Sequence, residues 1–200
     1  EGEETDVVGL DELEVRSDTA VLDLCAAVAV ALASGMAGAD IRTGCLAARE
    51  VEDRREVVAT VDGITFVNDT TATAPRAATA TVRAHGDRPL AVIAGGTSKG
   101  SAFDAFADAL AEDADHVVLL THDRYDASRR IEELLAERGA ADRVVHAPSM
   151  ATAIDAAVAA LGSDGGVVLL SPAAASFGMF TDEFDRGARF RDLVRARETA

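Results

Sequence analysis

From residue 56 onward the chain repeats one alternation: a short, continuously apolar run, then a longer stretch with helical periodicity. Runs such as Leu90–Ala94 and Gly166–Leu170 have no polar positions to turn toward water, so they read as strands buried on both faces. Strands of that kind joined by helical crossovers imply a parallel sheet covered on both sides. The predicted strands are Glu56–Val61, Ile64–Asn68, Leu90–Ala94, 116–121, 143–146 and Gly166–Leu170. Between and after them the spacing predicts helices over 75–84, 103–112, 126–138, Met150–Leu161 and 182–196. Asp62-Gly63 between the first two strands is a hairpin signal, so the sheet gains an antiparallel edge. The fold class is α/β, Rossmann-like and mostly parallel, with helices on both faces.

The first fifty residues follow a different pattern. Leu13-Glu14-Val15 is a short strand candidate. Asp18 or Thr19 caps a predicted helix over 20–34 that stops at Gly35, and Ala39-Asp40 opens a second helix to about Ala48. The charged run from Arg49 to Arg55 places a domain boundary near residue 50, with a hinge there. The division is therefore 1–50 and 51–200.

Charge narrows the functions. Acids outnumber bases 35 to 19, for a net charge of −16. Such a surface repels nucleic-acid backbones and anionic lipid, so neither is an expected partner. The apolar stretch from Leu24 to Ser34 is too short to span a bilayer and reads as a core helix. EGEETDVVGLDELE lacks the basic and apolar regions of a signal peptide, and the expected location is the cytoplasm. Cys25 and Cys45 lack CxxC spacing and read as small buried thiols. His85, His116, His122 and His146 fall on separate elements without metal-ligand spacing, so no metal site is expected.

Three strands end in polar, small-residue loops: Asp69-Thr70-Thr71-Ala72-Thr73-Ala74-Pro75, Gly95-Gly96-Thr97-Ser98-Lys99-Gly100-Ser101, and Ser171-Pro172-Ala173-Ala174-Ala175-Ser176. In an open parallel sheet these share the carboxyl edge, where ligands bind. Each has a plainer reading, since paired glycines make tight turns and hydroxyls cap helices. Lys99 shifts the balance. It is the chain's single lysine and sits where loop amides and helix N-termini favour an anion. The residues by themselves thus describe an anion-recognising pocket. No GxxxxGK[ST] loop accompanies it.

Those three loops, with Phe177-Gly178-Met179-Phe180 and then Arg186-Gly187-Ala188-Arg189-Phe190, resemble the MurD family in order and spacing across residues 50–195. Members of that family are ATP-dependent ligases that add glutamate to UDP-N-acetylmuramoyl-alanine through an acyl-phosphate in peptidoglycan precursor synthesis. The resemblance implies that residues 1–50 end the central ATPase domain and that 51–200 form the glutamate-binding domain. It implies that Lys99 and Thr73 hold one glutamate carboxylate. Ser176 would hold the other, helped by the backbone near Glu183 and Phe184. Arg54, Asp69, Asp23 and Thr71 would lie on the nucleotide side. ATP and Mg would be bound mainly by parts absent from these residues, so this chain alone would be inactive. The implied partners are small-molecule substrates, and the implied state is a monomer.

Departures from the family pattern cluster on the nucleotide side. Thr71 stands where a lysine is usual, Asp23 where an asparagine is usual, and Asp53-Arg54 where His-Arg is usual. Two alternatives remain beside this reading. One is another glutamate-adding ligase, such as a folylpolyglutamate-type enzyme, against which the SPAAASF loop argues. The other is a free-standing or degenerate module that binds a small acidic metabolite.

Overall fold

The computed structural model describes residues 6–15 and 18–198. The chain divides into two compact units, Glu1–Glu52 and Asp53–Ala200.

In the first unit α1 (Asp18–Ala33) and α2 (Gly38–Ala47) are joined through Gly35, whose φ of +77° ends the first helix. Leu13–Val15 is not a strand. A single turn of 3-10 helix at Leu10–Glu12 precedes it, and Leu13 and Val15 are buried in a small apolar cluster with Ile41 and Cys45. The segment has no strand to pair with among the described residues, so its apolar side chains pack and its backbone forms no ladder. The expectation of two buried thiols holds for Cys45 and fails for Cys25, which is exposed. The same correction applies to α1 as a core helix. It is apolar nearly all round, and two short neighbours cannot cover it, so Leu22 and Val30 stand more than 60% exposed at 69% and 67%. No described helix is long and apolar enough to cross a membrane.

The second unit is a six-stranded sheet ordered β1-β2-β6-β3-β4-β5. Its strands are β1 (Glu56–Val61), β2 (Ile64–Asn68), β3 (Leu90–Ala94), β4 (His116–Leu120), β5 (Val144–Ala147) and β6 (Gly166–Leu170). β1 runs antiparallel to β2 and every other pairing is parallel. Positive φ at Asp62 and Gly63, +50° and +79°, makes the hairpin turn that the dipeptide predicts. The connecting helices are α3 (Pro75–Arg83), α4 (Asp104–Asp113), α5 (Asp126–Glu137), α6 (Met150–Leu161) and α7 (Glu183–Glu198).

Alternation along the strands sorts the core into two layers. Leu90, Val92 and Ala94 pack with Val82, Phe106 and Ile131 of α3, α4 and α5. Ala91 and Ile93 pack on the other face with Ile154 of α6 and Phe190 of α7. The chain moves outward from β3 through β4 to β5, then returns across the opposite face to lay β6 beside β3. The strand order therefore reverses at the β3–β6 junction, the position where open α/β sheets bind their ligands.

Candidate functional site

Because β2, β6 and β3 are neighbours, their three carboxyl-end loops lie side by side, and backbone bonds stitch them together. The Asp69 amide donates to Leu170 O at 2.8 Å and the Ala173 amide to Ala72 O at 3.0 Å, which joins the β2 and β6 loops. The Gly95 amide donates to Pro172 O at 3.0 Å. Thr97 and Ala175 then exchange both amide bonds, at 2.8 and 3.1 Å. Gly96 makes that approach possible: its φ is +150°, and a Cβ there would sit 2.2 Å from Ala175 O.

On this frame the expected glutamate residues take distinct places. Lys99 is exposed, two residues past the Thr97 bridge. Thr73 is half-buried just ahead of Pro75, which opens α3. Ser176 is 1% exposed, and its Oγ is buried with no hydrogen-bond partner among the described residues. A buried hydroxyl in that state costs free energy unless something bonds it. Glu183 begins α7, and its backbone carbonyl accepts from Thr70 Oγ1 at 2.8 Å. Phe184 is exposed.

The expected nucleotide residues are less uniform. Asp69 is buried, its Oδ1 accepting from the Arg55 amide at 3.2 Å and its Oδ2 from Ser171 Oγ at 3.1 Å. Burial pushes its carboxyl above the ordinary range, against the Thr81 and Ser171 hydroxyls and the Arg55 amide. Thr71 Oγ1 donates to Asp53 O at 2.9 Å, so its hydroxyl serves the local backbone. Arg54 is exposed at the start of the second unit, and Asp23 is exposed on α1 of the first. Among the described residues no three His, Cys, Asp or Glu side chains converge as metal ligands.

Residues 53–174 match the family model of the Mur ligase glutamate ligase domain. This chain belongs to that family. It is 37% identical over 190 residues to the UDP-N-acetylmuramoylalanine--D-glutamate ligase of Roseiflexus sp., covering 93% of this chain and 39% of that protein. It is 35% identical over 177 residues to the UDP-N-acetylmuramoyl-L-alanine--L-glutamate ligase of Xanthomonas euvesicatoria, covering 86% and 36%. The chain thus spans about two fifths of the curated relatives it matches. Among solved structures, UDP-N-acetylmuramate-alanine ligase MurC of Thermotoga maritima superposes with a TM-score of 0.62 at 19% identity, over 92% of this chain and 39% of that one. Folylpolyglutamate synthase of Mycobacterium tuberculosis gives 0.57 at 21%, over 79% and 35%. Both likenesses establish the fold.

Sequence reasoning missed the buried polar scaffold beneath these loops. Arg186 on α7 is fully buried. It donates from Nε to Thr70 Oγ1 at 2.9 Å, from Nη2 to Thr70 O at 2.9 Å and from Nη1 to Ala174 O at 3.2 Å. One guanidinium thereby ties α7 to the β2 and β6 loops, and burial pulls its pKa down to about 10. Asn68 Nδ2 donates to Asp53 Oδ1 at 2.7 Å, and Arg191 bridges Asp53 and Glu56 at 2.8 and 2.9 Å. Asp53 takes a positive φ of +65° and begins the sheet unit, held by β2 on one side and α7 on the other. Arg186-Gly187 was visible as a motif, but one arginine among the five of a charged helix gives no sign of burial. The structure shows why Gly187 follows Arg186, since a Cβ there would meet Asp53 Oδ1 at 2.1 Å.

Proposed function

We propose that this chain is the C-terminal part of an ATP-dependent ligase that adds glutamate to UDP-N-acetylmuramoyl-L-alanine. In that reading Glu1–Glu52 completes a central ATPase domain and Asp53–Ala200 is the glutamate-binding domain. The observation that carries the proposal is the buried, unpartnered Ser176 Oγ, in a loop bonded by Thr97 to the loop of the chain's single lysine. A dicarboxylic amino acid needs two separated anion holders, and these adjoining loops supply them. Lys99 and Thr73 take one carboxylate. Ser176, with the backbone near Glu183 and Phe184, takes the other.

The reaction is attack by the glutamate nitrogen on an acyl-phosphate carbonyl. A C–N bond forms, the phosphate leaves with its bonding electrons, and the amine gives up a proton. No side chain here need act as a covalent nucleophile. The domain positions and neutralises the amino acid, and orientation of this kind lowers a bimolecular barrier by roughly 7–11 kcal/mol at best. Arg54, Asp69, Thr71 and Asp23 face the nucleotide in this reading. ATP and Mg²⁺ are held mainly by parts of the ligase outside these residues in this reading. The substrates are small molecules, and the enzyme works as a cytoplasmic monomer. The relatives' names include both D- and L-glutamate ligases, so both isomers belong in the test.

The test is an amide-resolved NMR titration of this chain with D-glutamate, L-glutamate and aspartate. One glutamate isomer is expected to shift the Lys99, Thr73 and Ser176 amides together and saturably. Unmoved loop amides at saturating concentrations of both isomers, in the ligase completed with its ATPase domain and nucleotide, would refute the assignment.

A further inference from the structure

The connection from β4 to α5 holds both halves of the proposed site, although it contains none of the residues assigned to it. Three consecutive residues of the lysine loop bond to it. Gly96 O accepts from the Ala127 amide at 3.2 Å, and Thr97 Oγ1, whose single proton has Phe177 O at 2.9 Å, also lies 3.3 Å from Arg124 O. The Asp126 carboxylate accepts twice from Ser98, from the amide at Oδ1 and from the hydroxyl at Oδ2, both at 2.7 Å. Between Arg124 and Asp126, the buried Tyr125 reaches the other way and donates its hydroxyl to Ser176 O at 3.0 Å.

The β6 loop holds the chain as far as Thr97 through Ala175 and the Phe177 carbonyl, and past Ser98 the loop is open. Lys99 and Gly100 are exposed, Gly100 has a φ of +73°, and nothing lies within 4 Å of where its Cβ would be. Lys99 is therefore the first residue beyond a clamped tripeptide, and its backbone position is set by the last clamp before it. That clamp is Asp126. Its place in the first turn of α5 suits a carboxylate, because the helix N-terminus favours negative charge there. The Ser98 hydroxyl and amide hold its carboxyl below the usual range, so the clamp is ionised at neutral pH.

We propose that Asp126 and Tyr125 are positioning residues for substrate binding, Asp126 setting Lys99 through Ser98 and Tyr125 setting Ser176 through its carbonyl. The inference rests on the glutamate reading of the site, and the experiment separates the two. In the full-length ligase, D126A is expected to raise glutamate KM roughly threefold to tenfold, the range for one loosened charge-assisted contact, with kcat within about twofold. D126N keeps an acceptor for the Ser98 amide and should recover part of the loss. In a K99M background D126A should add nothing, because Asp126 acts through the lysine. Y125F should raise KM while leaving the lysine loop as ordered as before.

Hydrogen exchange on the 200-residue chain reads order without activity. D126A should speed exchange of the 98–101 amides while β3 and α5 stay protected. Unchanged exchange at those amides overturns the proposal, as do D126A and K99M effects on KM that multiply. Faster exchange with glutamate KM unmoved in both D126A and K99M sinks the glutamate assignment of Lys99, and the proposal falls with it.

Discussion

Replacing Arg186 with methionine tests whether one buried cation sets the shape of this site. The side chain is fully buried and donates three hydrogen bonds, to Thr70 Oγ1, Thr70 O and Ala174 O. It forms no ion pair with a carboxylate among the described residues, so its charge is balanced by carbonyl and hydroxyl dipoles. Bonds from a charged donor are worth about 1.5–3 kcal/mol each. Against them stands the cost of dehydrating the cation, which the fall in pKa to about 10 puts at roughly 3 kcal/mol. Methionine keeps most of the apolar stem, loses the bonds and escapes the dehydration cost. The net loss is about 4 kcal/mol, and at about 2–4 °C per kcal/mol the melting temperature should fall by roughly 8–16 °C.

Lysine should not rescue it, because an ammonium cannot span three acceptors on two loops as a planar fork does. The pH dependence has a defined sign. Burial lowers the Arg186 pKa in the folded chain, so at strongly alkaline pH the unfolded chain binds this proton more tightly than the folded one. Wild-type stability should therefore gain from this group as pH rises past about 10, and R186M should lack the gain. Calorimetry on the 200-residue chain is the assay. A melting temperature within about 3 °C of wild type would show that the loops do not depend on the guanidinium.

Other outcomes follow from the same geometry. S176A should leave the melting temperature unchanged or slightly raised, since it deletes an unsatisfied buried hydroxyl, yet raise glutamate KM in the complete ligase. K99M should raise that KM tenfold or more, a larger effect than S176A because a charge is lost, and steady-state kinetics at two salt concentrations would check it. G96A should cost at least about 2 kcal/mol by denaturant unfolding, because a Cβ at φ +150° meets the Ala175 carbonyl, which cannot yield without breaking the inter-loop bridge. For Asp69, burial raises the folded pKa, so its contribution to stability is present below the unfolded value and lost as pH rises through the folded one. D69N should accordingly match or exceed wild-type stability at pH 7, with the difference vanishing below about pH 3.8, in paired urea titrations. The 200-residue chain by itself should release no phosphate from ATP, and glutamate-dependent release above a K99A control would contradict the division of labour proposed here.

The local pattern was enough to determine the α/β class, the hairpin at Asp62-Gly63 and the three loops that carry the site. Each depends on neighbours in sequence: the unbroken apolar run of Leu90–Ala94, positive φ at a dipeptide, and polar residues clustered after apolar runs. Lys99 and Ser176 were legible as members of such loops. Only the tertiary structure decided that β6 returns to lie between β2 and β3, which makes residues about a hundred positions apart into neighbours. From that one insertion come the Thr97–Ala175 bridge, the isolation of Ser176 Oγ and the burial of Arg186 under two loops. Leu13–Val15 failed in the opposite direction, since strand propensity without a partner strand produces packing and no ladder. Cys25 and the open face of α1 did the same, because burial depends on how much surface the surrounding elements can cover, and a helix does not carry that information in its own residues.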